Sequence, residues 1–179
     1  MTMSSFVIPR ANGLPTIYAN AMTEADIPGM AQALNIDKTI HNATIPIPWP
    51  YTETHARQFF EFCRDYPADE LAKGSRHLVI RLAKDETPHV EWGIGYWLVP
   101  SCRGQGILPA LVQEVKKAAQ EDKRIARLEI KCFTDNPSSK RVAEKSGFTL
   151  QGTKRRAMIK HGKFKDAFVF SWIPREDQL

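Results

Sequence analysis

Long apolar runs are missing from this chain of 179 residues. None approaches the roughly 18 residues that a membrane-crossing helix needs, so no membrane partner is expected. The opening stretch MTMSSFVIPRANG lacks a charged segment followed by an apolar one, and no signal peptide is expected there. Cysteine is scarce: Cys63, Cys102 and Cys132 are widely spaced, odd in number and without metal-ligand spacing. The simplest account is free thiols in a reducing cytoplasm, with neither a disulfide framework nor a metal. Internal repeats and low-complexity segments are also absent. So are the aromatic-interleaved basic patterns of RNA-binding modules, which makes nucleic acid the weakest partner class despite a net charge of +5.

What is present reads as one globular domain over residues 1–179, with 42% hydrophobic and 25% charged residues, enough to bury a core without staples. The positive excess favours an anionic ligand. It is partly local, at Lys154-Arg155-Arg156 with Lys160, Lys163 and Lys165.

The most informative stretch is Leu98–Ala119. Apolar residues recur at Leu108, Leu111, Val112, Val115, Ala118 and Ala119, the spacing of a half-buried helix. Pro109 suits its first position. Gly104 and Gly106 stand just before it, where free N–H groups and the positive end of the helix dipole face outward. Such a turn is built for an anion, most naturally a phosphate. The alternative is an ordinary strand-to-helix turn that needs two glycines.

Along the chain, residues 16–21 read as a short strand. A helix starts at Thr23, with Ile27, Met30, Ala31 and Leu34 as its stripe. The proline-rich IPIPWP at 45–50 is a loop, whose Trp49 either plugs the core or lines a cleft. A second helix runs from Thr52 to about Arg64, burying Ala56, Phe59, Phe60 and Cys63. Residues 76–83 form a strand, and 89–100 form another that holds Gly93 and Gly95 in its interior. Mid-strand glycines point to a bulge or to a close approach by another backbone or a ligand. After the glycine turn and its helix come a strand at 127–133 and a helix capped by Asn136, with Pro137 first and Gly147 at its end. A hairpin turning at His161-Gly162 closes the chain. Helices alternating with strands indicate a mixed α/β sheet layered with helices.

Taken in order, a strand, R-G-Q-G-I-L before a helix, a second strand, N-P-S-S opening a helix that ends K-S-G-F, and a hairpin resemble the GCN5-related N-acetyltransferases. The RimJ/RimL-like branch is suggested by PWPYT at 48–52, GYWLVP at 95–100 and HGKFKDAFVFSW at 161–172. The resemblance covers almost the whole chain. It implies a mixed sheet splayed at the cofactor cleft, helices on both faces and a C-terminal hairpin. There are two departures. Leu108 stands where the family's phosphate loop has a small residue, and only about 13 residues separate Ala83 from Tyr96, which leaves one strand of the family's meander shortened or missing.

The resemblance implies acetyl-CoA as donor and a primary amine as acceptor, attacked directly in a ternary complex. The acceptor would be a protein N-terminus, ribosomal proteins included, or a small amine; the protein itself would be a monomer or homodimer. Backbone N–H groups of Arg103, Gly104, Gln105, Gly106, Ile107 and Leu108 would cradle the pyrophosphate. The pantetheine would pair along the glycine-bearing strand, with an N–H of Tyr96, Trp97 or Leu98 polarising the carbonyl. An amine is protonated at neutral pH and needs a base, for which Glu129 and Glu91 are the candidates, Glu129 preferred. Many relatives draw the leaving-group proton from a tyrosine on the helix after the Asn motif. Here that region reads Val142-Ala143, so no tyrosine is at hand there. The branch's N-x-x-S instead makes Ser139 the acid and Asn136 a pantetheine ligand; Asn136 as a plain cap is the other reading. Two alternatives stand beside the enzyme: a non-catalytic acyl-CoA-binding domain of the same fold, and a basic nucleic-acid-binding module.

Overall fold

Asp26 closes the first helical start: its carboxylate accepts from the Thr23 backbone N–H at 2.7 Å and from the Thr23 hydroxyl at 2.8 Å. These two bonds hold the Asp26 carboxyl below its ordinary range. A computed structural model describes residues 6–8, 17–19, 22–65, 91–122 and 125–174, which group into two compact units.

The first unit contains the described residues up to 65 together with Trp97–Ile107. Strands β1 (Phe6–Ile8) and β2 (Ile17–Ala19) pair antiparallel; β2 lies within the strand expected at 16–21, whose other residues are outside the described ones, and β1 was not foreseen. A 3-10 turn at Glu24–Asp26 leads into α1 (Ile27–Leu34), followed by α2 (Thr39–Ala43) and α3 (Glu53–Asp65). Ile27, Ala31, Leu34, Ile40, Ile47, Tyr51 and Ala56 form its core, with Met30, Phe60 and Trp97 packed against it.

The proline-rich loop is held down by polar bonds. Asn35 donates to the carbonyls of Ala31 and Tyr51 and accepts from the Tyr51 N–H at 2.9 Å. Ile47 and Tyr51, not Trp49, are therefore the residues by which this loop enters the core. Trp49 is half-buried with the Lys38 ammonium 5.7 Å from its ring centre.

The second unit is built on a four-stranded sheet in the order β3-β4-β6-β5. Strand β3 (Glu91–Gly93) runs parallel to β4 (Arg127–Phe133), while β6 (Lys163–Trp172) is antiparallel to both β4 and β5 (Thr149–Lys160). The sheet is mixed, as expected. The long strand expected at 89–100 is only three residues in its described part, with no regular structure from Ile94 to Val99. The strand expected at 76–83 and the shortened meander lie outside the described residues.

Helix α4 (Ile107–Glu121) begins two residues before Pro109. Pro109 is thus third in the helix, still within the turn whose N–H groups have no intrahelical acceptor. Asn136 and Pro137 start α5 (Pro137–Lys145), and Gly147, with φ 77°, ends it in the left-handed region. The Lys116 ammonium reaches the Ser146 carbonyl at that end (3.0 Å) and lies 4.7 Å from the Trp172 ring centre; its desolvation lowers its basicity. His161 and Gly162 are both left-handed, with φ of 49° and 70°, which is the two-residue turn that matches the twist of a hairpin.

Side chains alternate along β4. Leu128, Ile130 and Cys132 share one face, and their registered partners on β6 are Trp172, Phe170 and Phe168. Lys116 from α4 and Lys140 from α5 both contact this aromatic row, so the two helices cover that face. Phe170, 1% exposed, is its centre. Phe170→Ala should lower unfolding stability by about 3–5 kcal/mol, read as a fall in the urea midpoint at unchanged slope. Phe164→Ala, at a side chain 60% exposed, should cost under about 1 kcal/mol. Equal losses at the two positions would contradict this packing.

Candidate functional site

The glycine turn follows a 3-10 turn at Pro100–Cys102. Gly104 and Gly106 take φ of 75° and 71°, where an L side chain is strained. A Cβ at either position would meet nothing within 4 Å. Glycine is thus required by backbone conformation, and open space lies over both residues.

The side chains around the turn bind the loop to itself and to the first unit. Arg103 donates through Nε to the Leu98 carbonyl at 3.1 Å and through Nη2 to the Thr39 hydroxyl at 2.7 Å. Thr39 is itself held by Asp37, whose carboxyl is lowered by bonds from the Thr39 hydroxyl and N–H. Gln105 donates to the Ser101 carbonyl at 2.9 Å. The Arg103 backbone N–H, which was expected among the anion donors, instead bonds the Pro100 carbonyl at 3.1 Å. The Arg103 N–H is therefore committed within the turn. Leu108 is half-buried and begins the stripe that continues through Val112, Val115 and Ala119, so its size serves the packing of α4.

In the second unit the edge of β4 changes character midway. β3 pairs with Arg127, Leu128 and Glu129, and the Ile94 N–H bonds the Glu129 carbonyl at 2.7 Å. Among the described residues that pairing ends there, while β4 continues to Phe133 against β6. The chain that leaves carries Tyr96 to α5. Its hydroxyl lies 2.9 Å from Ser139 Oγ and 3.2 Å from the Ser139 carbonyl oxygen, to which it donates. Burial pushes the Tyr96 phenol up to about 12, with the Ser139 bond opposing the shift. Cys132 shares a hydrogen bond with Ser139, and burial raises its thiol as well. Both groups are neutral in the folded protein near pH 7, and a raised thiol is a poor nucleophile.

Asn136 Oδ1 accepts the Ser139 N–H at 3.1 Å, so the capping role is realised. Glu129 is 6% exposed and paired with Lys131 at 2.5 Å and Arg127 at 3.4 Å. It sits three residues from Cys132 on a regular strand, hence on the opposite face of the sheet from Ser139. The backbone of Glu91 is in register with Arg127. Trp97, listed in sequence among the residues flanking the carbonyl, packs its ring against the core of the first unit.

Tyr96, Ser139, Cys132 and Asn136 are thus brought together, and Glu129 is set across the sheet from them. The sequence does not reveal the roles of Thr39 and Cys132. Strand alternation offers a signal for Cys132: it faces the helix that begins five residues later.

A family model described as an acetyltransferase (GNAT) domain matches residues 17–149. The chain belongs to the GNAT acetyltransferase family. Within this family it is 30% identical over 119 residues to the ribosomal-protein-serine acetyltransferase of Escherichia coli (strain K12), a match covering 66% of this chain and 64% of that protein. The matched stretch thus spans just under two thirds of that relative. RimL, a ribosomal alpha-N-protein acetyltransferase solved with coenzyme A, superposes with a TM-score of 0.71 at 22% identity over 94% of this chain and 98% of its own. The microcin self-immunity acetyltransferase MccE, solved with acetyl-CoA and AMP, gives 0.69 at 22% over 86% and 90%. These two likenesses establish the GNAT fold.

The buried phenol has a direct consequence for stability. Between its ordinary value of 10.0 and about 12, Tyr96 keeps its proton in the folded state and loses it in the unfolded one. Stability must fall as pH rises through that window. The melting temperature of Tyr96→Phe should fall less steeply with pH between 10 and 12 than that of the wild type. Parallel slopes would contradict a buried neutral phenol.

Proposed function

We propose that this GNAT protein is an acetyl-CoA-dependent N-acetyltransferase that acts on a primary amine by direct attack within a ternary complex. The observation that carries the reading is the Ser139–Tyr96 hydroxyl pair standing beside a β4 edge that β3 abandons at Ile94. The stretch of that edge from Ile130 to Phe133, which no strand pairs among the described residues, suits an extended amide-bearing chain such as pantetheine. The left-handed glycines before α4 suit a pyrophosphate.

When bound, acetyl-CoA supplies an activated acyl group on a thiol leaving group. Residues of the chain do the rest. The N–H groups from Gly104 to Leu108 hold the anionic end, and the amide nitrogen of Asn136 is left to face the pantetheine. A backbone N–H of Tyr96, Trp97 or Leu98 polarises the carbonyl. Ser139 protonates the departing sulfur. Glu129, with Glu91 as the alternative, takes the ammonium proton of the acceptor. A base on one face of β4 and an acid on the other suit a reaction whose amine and departing sulfur approach the acyl carbon from different directions.

For the acceptor we propose a protein N-terminus. Its support is the similarity to a ribosomal-protein-serine acetyltransferase and to RimL. Isothermal titration with acetyl-CoA should give a 1:1 complex, and Gly106→Trp, which forces a bulky side chain onto a left-handed residue, should abolish it. Thiol release with a short peptide bearing a free N-terminal serine should exceed that with its N-acetylated form. Ser139→Ala and Glu129→Gln should slow turnover by roughly 10²-fold while sparing acetyl-CoA affinity. Binding without thiol release across peptides and small amines would turn the reading to a non-catalytic acyl-CoA-binding domain.

A further inference from the structure

The Ser139–Tyr96 pair joins two hydroxyls of very different acidity. An aliphatic hydroxyl is a far weaker acid than a phenol, so a serine that gives its proton to a thiolate would be left as a strongly basic alkoxide. The transfer is feasible only if the serine oxygen is re-protonated in the same event. Tyr96 stands where that proton comes from. Its oxygen is 2.9 Å from Ser139 Oγ, within range for a direct O–H···O bond. The Cys132 thiol is a second protic neighbour of the serine.

We propose that Tyr96 is a positioning residue and proton reservoir behind Ser139: its O–H turns onto Ser139 Oγ, aims the serine proton away from itself at the leaving sulfur, and replaces that proton as it departs. The proposal rests on the acetyltransferase reading above. One proton leaves Ser139 for the sulfur as the carbon–sulfur bond breaks, and one leaves Tyr96 Oη for Ser139 Oγ. The resulting phenolate recovers a proton from solvent, so the serine ends unchanged. Ser139 receives the same neutral proton supply at all working pH values, because burial keeps the resting phenol protonated up to about pH 12. A phenol also lies much closer than an aliphatic hydroxyl to the acidity of a thiol, whose ordinary pKa is about 8.5. Tyr96 thus fills, from the strand side of the sheet, the role that a tyrosine on the α5 helix could have filled at Val142-Ala143.

The test compares leaving groups. With acetyl-CoA and a peptide bearing an N-terminal serine, Tyr96→Phe should lose roughly 10²-fold in kcat with KM little changed. With an acetyl thioester of an acidic arylthiol, which departs without a proton, Tyr96→Phe and wild type should agree within about threefold. The double variant Tyr96→Phe/Ser139→Ala should be no slower than Ser139→Ala alone, because the two act as one unit.

Two readouts do not depend on turnover. Calorimetry should give Tyr96→Phe the acetyl-CoA affinity of the wild type. In the free protein, the ultraviolet titration assigned to Tyr96 should move to higher pH in Ser139→Ala, since the serine bond lowers it. If Tyr96→Phe fails to fold, 3-fluorotyrosine at position 96, nearly the same size with a more acidic phenol, should shift the alkaline limb of kcat downward in pH. Equal losses with both donors, additive losses in the double variant, or an unmoved alkaline limb would overturn the inference alone. A wild-type protein that binds no acetyl-CoA would overturn the acetyltransferase reading, and this inference with it.

Discussion

Strand β4 has two edges, and their backbone groups meet different fates. One edge is paired with β6 from Leu128 to Phe133, whereas among the described residues the other is paired with β3 only at its start. Buried N–H and C=O groups need partners, so the second half of that edge is a standing demand for an extended polar chain. The divergence at Ile94 also frees the following residues from the sheet, and this lets Tyr96 reach α5. The gap proposed for pantetheine and the hydroxyl pair are thus both tied to one break in pairing.

Much of this architecture is written in local chemistry and can be read without coordinates. The cap at Asn136 with Pro137 behind it, the left-handed Gly147 and the His161-Gly162 turn are each set by residues adjacent in sequence, and each stands where expected. The strand at 127–133 and the GNAT fold were legible for the same reason. What could not be read depends on where distant segments meet. The glycines at 93 and 95 signalled an interrupted strand but not how early it stops. No periodicity marks Tyr96 as the partner of Ser139, 43 residues away. The hold of Arg103 on Thr39 could not be read either, because that acceptor on α2 is 64 positions upstream. Trp49 reads from the sequence as an apolar loop residue that either plugs the core or lines a cleft, while the polar grip of Asn35 on Tyr51 decides which loop residues go inside.

The cap also links two roles that the family assigns separately. Asn136 fixes the backbone of Ser139, and through it the direction of the serine hydroxyl. On the proposed reading, a change at Asn136 would disturb more than ligand contact, since the first turn of α5 would carry the acid, and positions 136 and 139 would act as one mechanical unit.

The ties made by Arg103 and Gln105 have a thermodynamic meaning for the glycine turn. A loop with two left-handed glycines has unusual freedom in the unfolded chain, and ordering it on ligand arrival would weaken binding by the entropy lost. Here the guanidinium spans Leu98 and Thr39 and the amide reaches Ser101, so most of that ordering is completed on folding. On the proposed reading, the loop's affinity for an anion would be set in part by α2, an element that need not touch the anion at all, and loosening Thr39 would weaken the ligand's hold through entropy.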